Sequence, residues 1–271
     1  VRRRKSVEGR LKKGDANEFT ADAKNAPSQR WFAAEASIFN LRCGPDYKQN
    51  KKKAPSGPAV LELVDVKMYR CAAKMAHVCN ELPLPDCESD AFHFVVNVQV
   101  PDYAPAMWGG PEDGEGWSVI MYFSMSAAIH QEVMGDHKEG WAILLKRILE
   151  APVDDTDAAG REIHDRMKLI ARIMNVGEIN LDGFTRQLVD SHNAQPVLSR
   201  PQHTFFKGQN YFEVDVDVHR FPYLALKGLH SLLDRVKNMV IDVCICLEGH
   251  NNEELPERCL GCVRLSKIGF A

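Results

Sequence analysis

Four side chains able to hold a proton or a metal ion recur at every second position late in the chain: Glu213, Asp215, Asp217 and His219. On a β-strand that period sets all four on one face and Phe212, Val214, Val216 and Val218 on the other. Carboxylates with an imidazole suit Mg²⁺, Mn²⁺ or Ca²⁺, yet alternate strand residues stand about 6–7 Å apart, so at most two or three reach one ion. Aspartate is disfavoured in strands and neighbouring carboxylates repel. The face therefore needs water, basic partners or a cation. The reading adopted is a structural face, solvated or salt-bridged to residues such as Arg200, Lys207 or Arg220, with Asp215, Asp217 and His219 as second-rank metal ligands.

Cys259 and Cys262 form a C-x-x-C, and Cys244 and Cys246 stand upstream on an expected strand, which raises a four-thiolate zinc site. The C-x-C pair lacks the usual knuckle turn, and Leu260 with Val263 makes 259–262 read as a turn entering a strand. The thiols are accordingly read as small buried hydrophobes. A redox pair would need a helix N-terminus that the pattern does not supply. His192, His203 and His219 lie in the same half as Ser191 and Ser199, but no G-x-S-x-G elbow accompanies them. Gly114 and Gly116 form only part of a phosphate loop, without the following Lys-Ser/Thr, and read as a surface turn. No catalytic residue and no cofactor is expected.

Charge is unevenly distributed. Residues 1–13 carry Arg2, Arg3, Arg4, Lys5, Arg10, Lys12 and Lys13 against Glu8 alone, a net +6, leaving −9 for the rest of a chain whose formal charge is −3. Lys51, Lys52 and Lys53, with Lys48 nearby, make a second basic cluster. Such clusters attract anionic headgroups at about 1 kcal/mol per well-placed Lys or Arg. Neither is interleaved with aromatic residues of the kind that stack on bases, so no nucleic-acid partner is expected. The expected partners are an anionic membrane surface or the proteins of a larger assembly.

No apolar stretch approaches the roughly 20 residues of a spanning helix, and the basic start is not followed by the apolar core of a secretory leader. An intracellular chain peripheral to a membrane is expected, in the cytoplasm or a plastid, with its eight cysteines as thiols. The first residue is Val, which suits a processed or a truncated chain.

The elements that must position these groups follow from periodicity. Residues 1–36 read as an extended basic arm, with a single domain over 37–271. Strands are expected at 38–42 and 59–66, then a short helix on which Met68, Cys71, Ala72, Met75 and Cys79 recur. The intervening loop to Pro58 should be exposed. Residues 92–100 and 117–124 suggest an antiparallel pair. A strong amphipathic helix over 141–149 stops at Pro152. After the acidic turn 154–157 a second helix begins, within which 169–173 fits a strand equally well. Strands at 211–219, 239–247 and 260–268 and a helix at 224–236 complete an α+β fold, a largely antiparallel sheet packed with several helices.

Several segments carry a family resemblance. Leu41–Arg42–Cys43–Gly44–Pro45–Asp46–Tyr47, Lys51–Lys52–Lys53–Ala54–Pro55–Ser56 and Val96–Asn97–Val98–Gln99–Val100–Pro101–Asp102–Tyr103 come first. Gln195–Pro196–Val197–Leu198, the run from Lys207 to Val218, and Glu254–Leu255–Pro256–Glu257 with Leu260–Gly261 follow in order. Together, over about 38–268, they resemble the C-terminal domain of the plant enhanced disease resistance 2 protein. The resemblance supplies no catalytic residues. In the plant protein, pleckstrin-homology and lipid-transfer domains precede this one, and residues 1–36 are too short for either. What it implies is a non-catalytic docking or lipid-binding domain; the rivals are a structural accessory subunit, such as one in a plastid membrane complex, and a metal-dependent enzyme built on Glu213–His219.

Overall fold

The computed structural model describes residues 7–10, 12–13, 30–87, 91–108, 110–136, 139–154, 157–198, 202–266 and 268–269. Strands β1 (Val7–Arg10), β2 (Lys12–Lys13), β3 (Arg30–Ala33) and β4 (Asn40–Arg42) come first. Helix α1 (Tyr47–Asn50) and strands β5 (Lys53–Pro55), β6 (Glu62–Cys71), β7 (Phe92–Pro101) and β8 (Gly116–Met125) follow. Helices α2 (Ala127–Met134), α3 (Gly140–Glu150) and α4 (Ala158–His164) lead to β9 (Met167–Ile173), α5 (Gly183–His192) and β10 (Pro196–Leu198). The chain closes with β11 (His203–Lys207), β12 (Tyr211–Asp217), α6 (Tyr223–Leu233), β13 (Val240–Leu247) and β14 (Cys259–Ser266).

These strands form two six-stranded sheets, ordered β1-β6-β8-β7-β12-β11 and β10-β9-β13-β14-β3-β2, and a ribbon of β4 with β5. Within the sheets only β12–β7 and β2–β3 pair in parallel. The fold is therefore α+β with antiparallel-dominated sheets. The sheets face each other across one core, to which β7 gives Phe94 and Val96, β8 gives Met121 and Phe123, β12 gives Phe212 and Val214, and β14 gives Leu260 and Val263. Helix α3 drives Trp141, Leu144, Leu145 and Ile148 into the same core. Ser126, Asp157 and Asp182 cap α2, α4 and α5 by accepting N–H groups three residues on.

The outer face of each sheet is covered by a segment with almost no helix. Residues 72–87 lie over the first sheet, where Met75 and Val78 pack on Val95, Ile120 and Tyr122. Ala36, Phe39 and Leu41 lie over the second, on Ile170 and four cysteines.

The helix expected over 68–79 is absent: Met68 and Cys71 belong to β6, and a short 3-10 turn follows at Val78–Asn80. Because β6 is covered on both faces, Met68 points into the main core while Tyr69 and Cys71 meet the outer cover. A strand buried on both sides loses polar alternation, and its apolar spacing imitates a helix. The ambiguous 169–173 is strand β9. Strand β12 ends at Asp217, so His219 sits in a 3-10 turn rather than on the strand face. Of the early basic residues, Arg10, Lys12 and Lys13 lie on sheet strands: β1 pairs with β6, and β2 with β3. Arg30–Ala33 lies within the second sheet, where Trp31 and Phe32 are buried.

Candidate functional site

The period-two acids occupy the outer face of β12, as the alternation dictates, but that face is closed. Glu213, Asp215 and Asp217 are buried, with 0%, 2% and 8% exposure. Their oxygens are taken by the covering segment. The Val78 and Cys79 N–H groups donate to Glu213 at 2.6 and 2.9 Å, and the His77 N–H donates to Asp215 at 3.0 Å. His77 has a φ of 53°, which turns three successive amides toward the carboxylates, a small anion-binding nest. Asn97 Nδ2 and Gln99 Nε2, neighbours on the parallel strand β7, also donate to Asp215. Lys74 Nζ reaches Asp217 at 2.7 Å.

The basic partner present is Lys74, which was not among the residues expected. Lys207 donates to the Leu149 carbonyl instead, and Arg200 lies outside the described residues. Lys74 is a basic partner for Asp217, while backbone amides and carboxamides serve Glu213 and Asp215, because donors reach a β-strand's face at short range once a loop folds flat on it. Burial first, and then the charge and shared hydrogen bond of Glu213, push Asp215 up to about 8. Asp215 accordingly holds its proton at neutral pH. His219 Nδ1 meets the Tyr103 hydroxyl at 2.8 Å, and burial holds its pKa below the usual imidazole value. His77 stacks on Phe206 at 4.2 Å and meets the Tyr211 hydroxyl at 2.8 Å.

Other chemistry-bearing groups lie apart. A cleft of about 510 Å³ is bordered by Leu61, Glu62, Asp86, Cys87, Ser124 and Ser126. At its rim the Cys87 sulfur is 3.3 Å from His93 Nε2. Burial lowers the His93 pKa, and among the described residues its Nδ1 has no hydrogen-bond partner, so none of them orients the imidazole as a nucleophile–base relay requires. Ser191 Oγ and His192 Nδ1 are 2.8 Å apart on the exposed end of α5, where both also meet the Leu188 carbonyl. His203 faces the core between the sheets, and burial holds its pKa down to about 4. Ser199 lies outside the described residues.

The motif acids Glu254 and Glu257 have a role the spacing did not reveal. Both are 4% exposed. Arg166 holds Glu254 at 2.7 Å, with Arg147 and the His250 N–H beside it, and Lys168 holds Glu257 at 2.8 Å. Burial alone would raise the Glu254 pKa, but the His250 N–H and Arg166 outweigh it and bring it below the usual value. The Arg42 N–H donates to Glu257 and its side chain to Glu248, which fastens the second cover to its sheet.

The four late cysteines are buried at 0–2% exposure on the outer face of the second sheet. Cys259 and Cys262 are not in a turn but within β14. Register with β13 runs Cys244↔Cys262, Ile245↔Gly261, Cys246↔Cys259, so Leu260 is an extra, bulged residue. The bulge sets Cys259 and Cys262 on one face despite their odd separation. The Sγ atoms of Cys244, Cys259 and Cys262 lie within 4.8 Å of one another.

Of the basic candidates, Lys51, Lys52 and Lys53 stand exposed together at the turn joining α1 to β5. Arg2, Arg3, Arg4 and Lys5 lie outside the described residues. For Arg10, Lys12 and Lys13 the structure describes the backbone, in β1 and β2. Val7 pairs with Arg70, whose side chain reaches Asp102 at 3.3 Å and lies over Trp117. At this same end of the first sheet the β7–β8 loop exposes Met107 by 64% and Trp108 by 87%. Among the described residues no helix is long and apolar enough to cross a membrane.

Two facing sheets, each with an outer cover pinned by buried carboxylates, define the class: a two-sheet α+β domain. The chain belongs to the family described as Protein ENHANCED DISEASE RESISTANCE 2, C-terminal, whose pattern matches residues 31–269. It is similar to a protein of Arabidopsis thaliana named Protein ENHANCED DISEASE RESISTANCE 2-like, with 26% identity over 243 residues. The alignment covers 88% of this chain but 28% of that relative. No solved structure matches.

Proposed function

We propose that this chain is a non-catalytic docking domain that rests on an anionic membrane surface. The observation that carries the reading is the exposed Met107–Trp108 loop tip at the Arg70 end of the first sheet. Tryptophan in water is costly to leave uncovered and favours the headgroup region of a bilayer. In sequence, Arg2, Arg3, Arg4 and Lys5 immediately precede the strand that pairs with Arg70. Lys51, Lys52 and Lys53 add charge elsewhere on the surface. The acid ladder supports the non-catalytic part, since its oxygens are engaged by the protein's own donors.

Flotation with phosphatidylserine-containing vesicles tests the reading. Replacing Trp108 and Met107 by Ala, or Arg2, Arg3, Arg4 and Lys5 by Glu, should lower the floated fraction about tenfold, with circular dichroism unchanged, by loss of interfacial and electrostatic attraction. Equal flotation of all forms overturns it. A second reading, an accessory subunit docked on a protein, is favoured by Phe184 and Leu224, 47% and 60% exposed on the neighbouring helices α5 and α6. Phe184→Ser with Leu224→Ser would then abolish co-purification of an assembly and leave flotation intact.

A further inference from the structure

We propose that Cys244, Cys259 and Cys262, with Cys246 as fourth donor, form a closed thiolate site for one thiophilic d¹⁰ cation, Zn²⁺ in the first place. Composition gives the first argument. The main core between the sheets is built from Val, Ile, Leu, Met and aromatic residues and contains no cysteine, whereas the small cluster beneath Ala36, Phe39 and Leu41 contains four of the chain's eight. Packing alone gives no reason for that segregation, since Val or Ile suits a buried strand position better.

Register gives the second argument. In a regular ladder Cys259 and Cys262 would face opposite sides. The bulge at Leu260 turns them to the same side, opposite Cys246 and Cys244 respectively. Leu260 itself goes to the main core, and Gly261 faces Phe123 there. The irregularity thus collects sulfur on one face at the cost of ladder pairing.

Distances give the third. Tetrahedral thiolate bonds of about 2.3 Å place sulfurs about 3.8 Å apart, which three Sγ atoms within 4.8 Å of one another can reach by small side-chain rotations. Cys244 and Cys259, at 2.7 Å, are closer than non-bonded sulfurs rest comfortably and farther than a disulfide bond. A cation between them would hold them apart and coordinate both. Cys246, directly across from Cys259, shares their face.

The surroundings suit a structural rather than a catalytic ion. Ala36, Phe39 and Leu41 cover the cluster, and its four cysteines are 0–2% exposed, as in a closed structural site. The Cys259 N–H donates to Ser56 Oγ, which steadies that strand position. Binding replaces the thiol protons: one Zn²⁺ enters and four protons leave, with no oxidation.

The full chain, purified under reducing conditions without chelator, should carry about one zinc per chain by elemental analysis and native mass spectrometry. Cobalt titrated into the chelator-stripped protein should saturate at about one equivalent, with thiolate-to-metal charge-transfer absorption and the strong visible bands of tetrahedral coordination. Cys259→Ser with Cys262→Ser should lose the metal, and Cys43→Ser, outside the cluster, should keep it. If the double variant does not fold, the cobalt titration of the unmutated chain decides. Absence of the charge-transfer band overturns the site. So does metal retained by the double variant, or a mass two hydrogens lighter that is restored by reductant, which would assign a disulfide.

Discussion

At the scale of single residues, the proton held by buried Asp215 ties stability to pH. An exposed aspartate loses its proton near pH 4, whereas folded Asp215 keeps it to about 8. Between those values the folded state binds more proton. The stabilisation is therefore full below about pH 4 and is lost as pH rises through 8. His203, held down to about 4, has the opposite sign, its contribution being full above about 6.5 and lost as pH falls. Urea unfolding of the protein and of Asp215→Asn, compared point by point from pH 5 to 9, isolates the first effect. The unmutated chain should lose stability relative to the variant as pH rises, and parallel profiles would contradict the raised Asp215 pKa.

At the scale of elements, the acid ladder is a fastener for the segment 72–87. Removing the Glu213 carboxylate strands the Val78 and Cys79 N–H groups in the interior. Glu213→Ala should cost about 3 kcal/mol and expose 72–87 to protease before the rest of the chain unfolds. Limited proteolysis followed by mass spectrometry would show whether the first cuts fall there. The bulged strand β14 is equally specific. A Cβ at Gly261 would lie 2.5 Å from the ring of Phe123, which is fully buried. Gly261→Ala should therefore lower stability by about 2 kcal/mol through overpacking, measured by denaturant unfolding.

At the scale of the whole molecule, the two sheets and their two covers make polar burial a matter of assembly. Glu213, Asp215 and Asp217 hold one cover, and Arg42 with Glu248 and Glu257 holds the other. A buried ion pair contributes little net stability, because desolvation offsets attraction, but losing one partner is costly. The docking proposal rests on the Trp108 loop and on basic residues such as Lys51, Lys52 and Lys53. Vesicle binding that depends on them should weaken steeply between about 50 and 300 mM salt, as screening of exposed charge demands. Flotation insensitive to salt would count against the electrostatic half of the docking proposal.

The α+β class, the β7–β8 pair, helix α3 and strands β12, β13 and β14 were legible in the sequence, because each has a periodic apolar face or a bounded β-rich run. Local pattern and the order of short motifs were also enough to indicate the family. Which faces are buried was decided only by the tertiary structure. Alternation showed that Glu213, Asp215 and Asp217 share a side of β12, but not that His77, Val78 and Cys79 arrive from over 130 residues away to satisfy them. Spacing argued against joining Cys259 and Cys262 to Cys244, because one bulged residue, invisible in composition, reverses which way a side chain points. Period is a property of neighbouring residues, whereas burial and register depend on what the rest of the chain brings alongside.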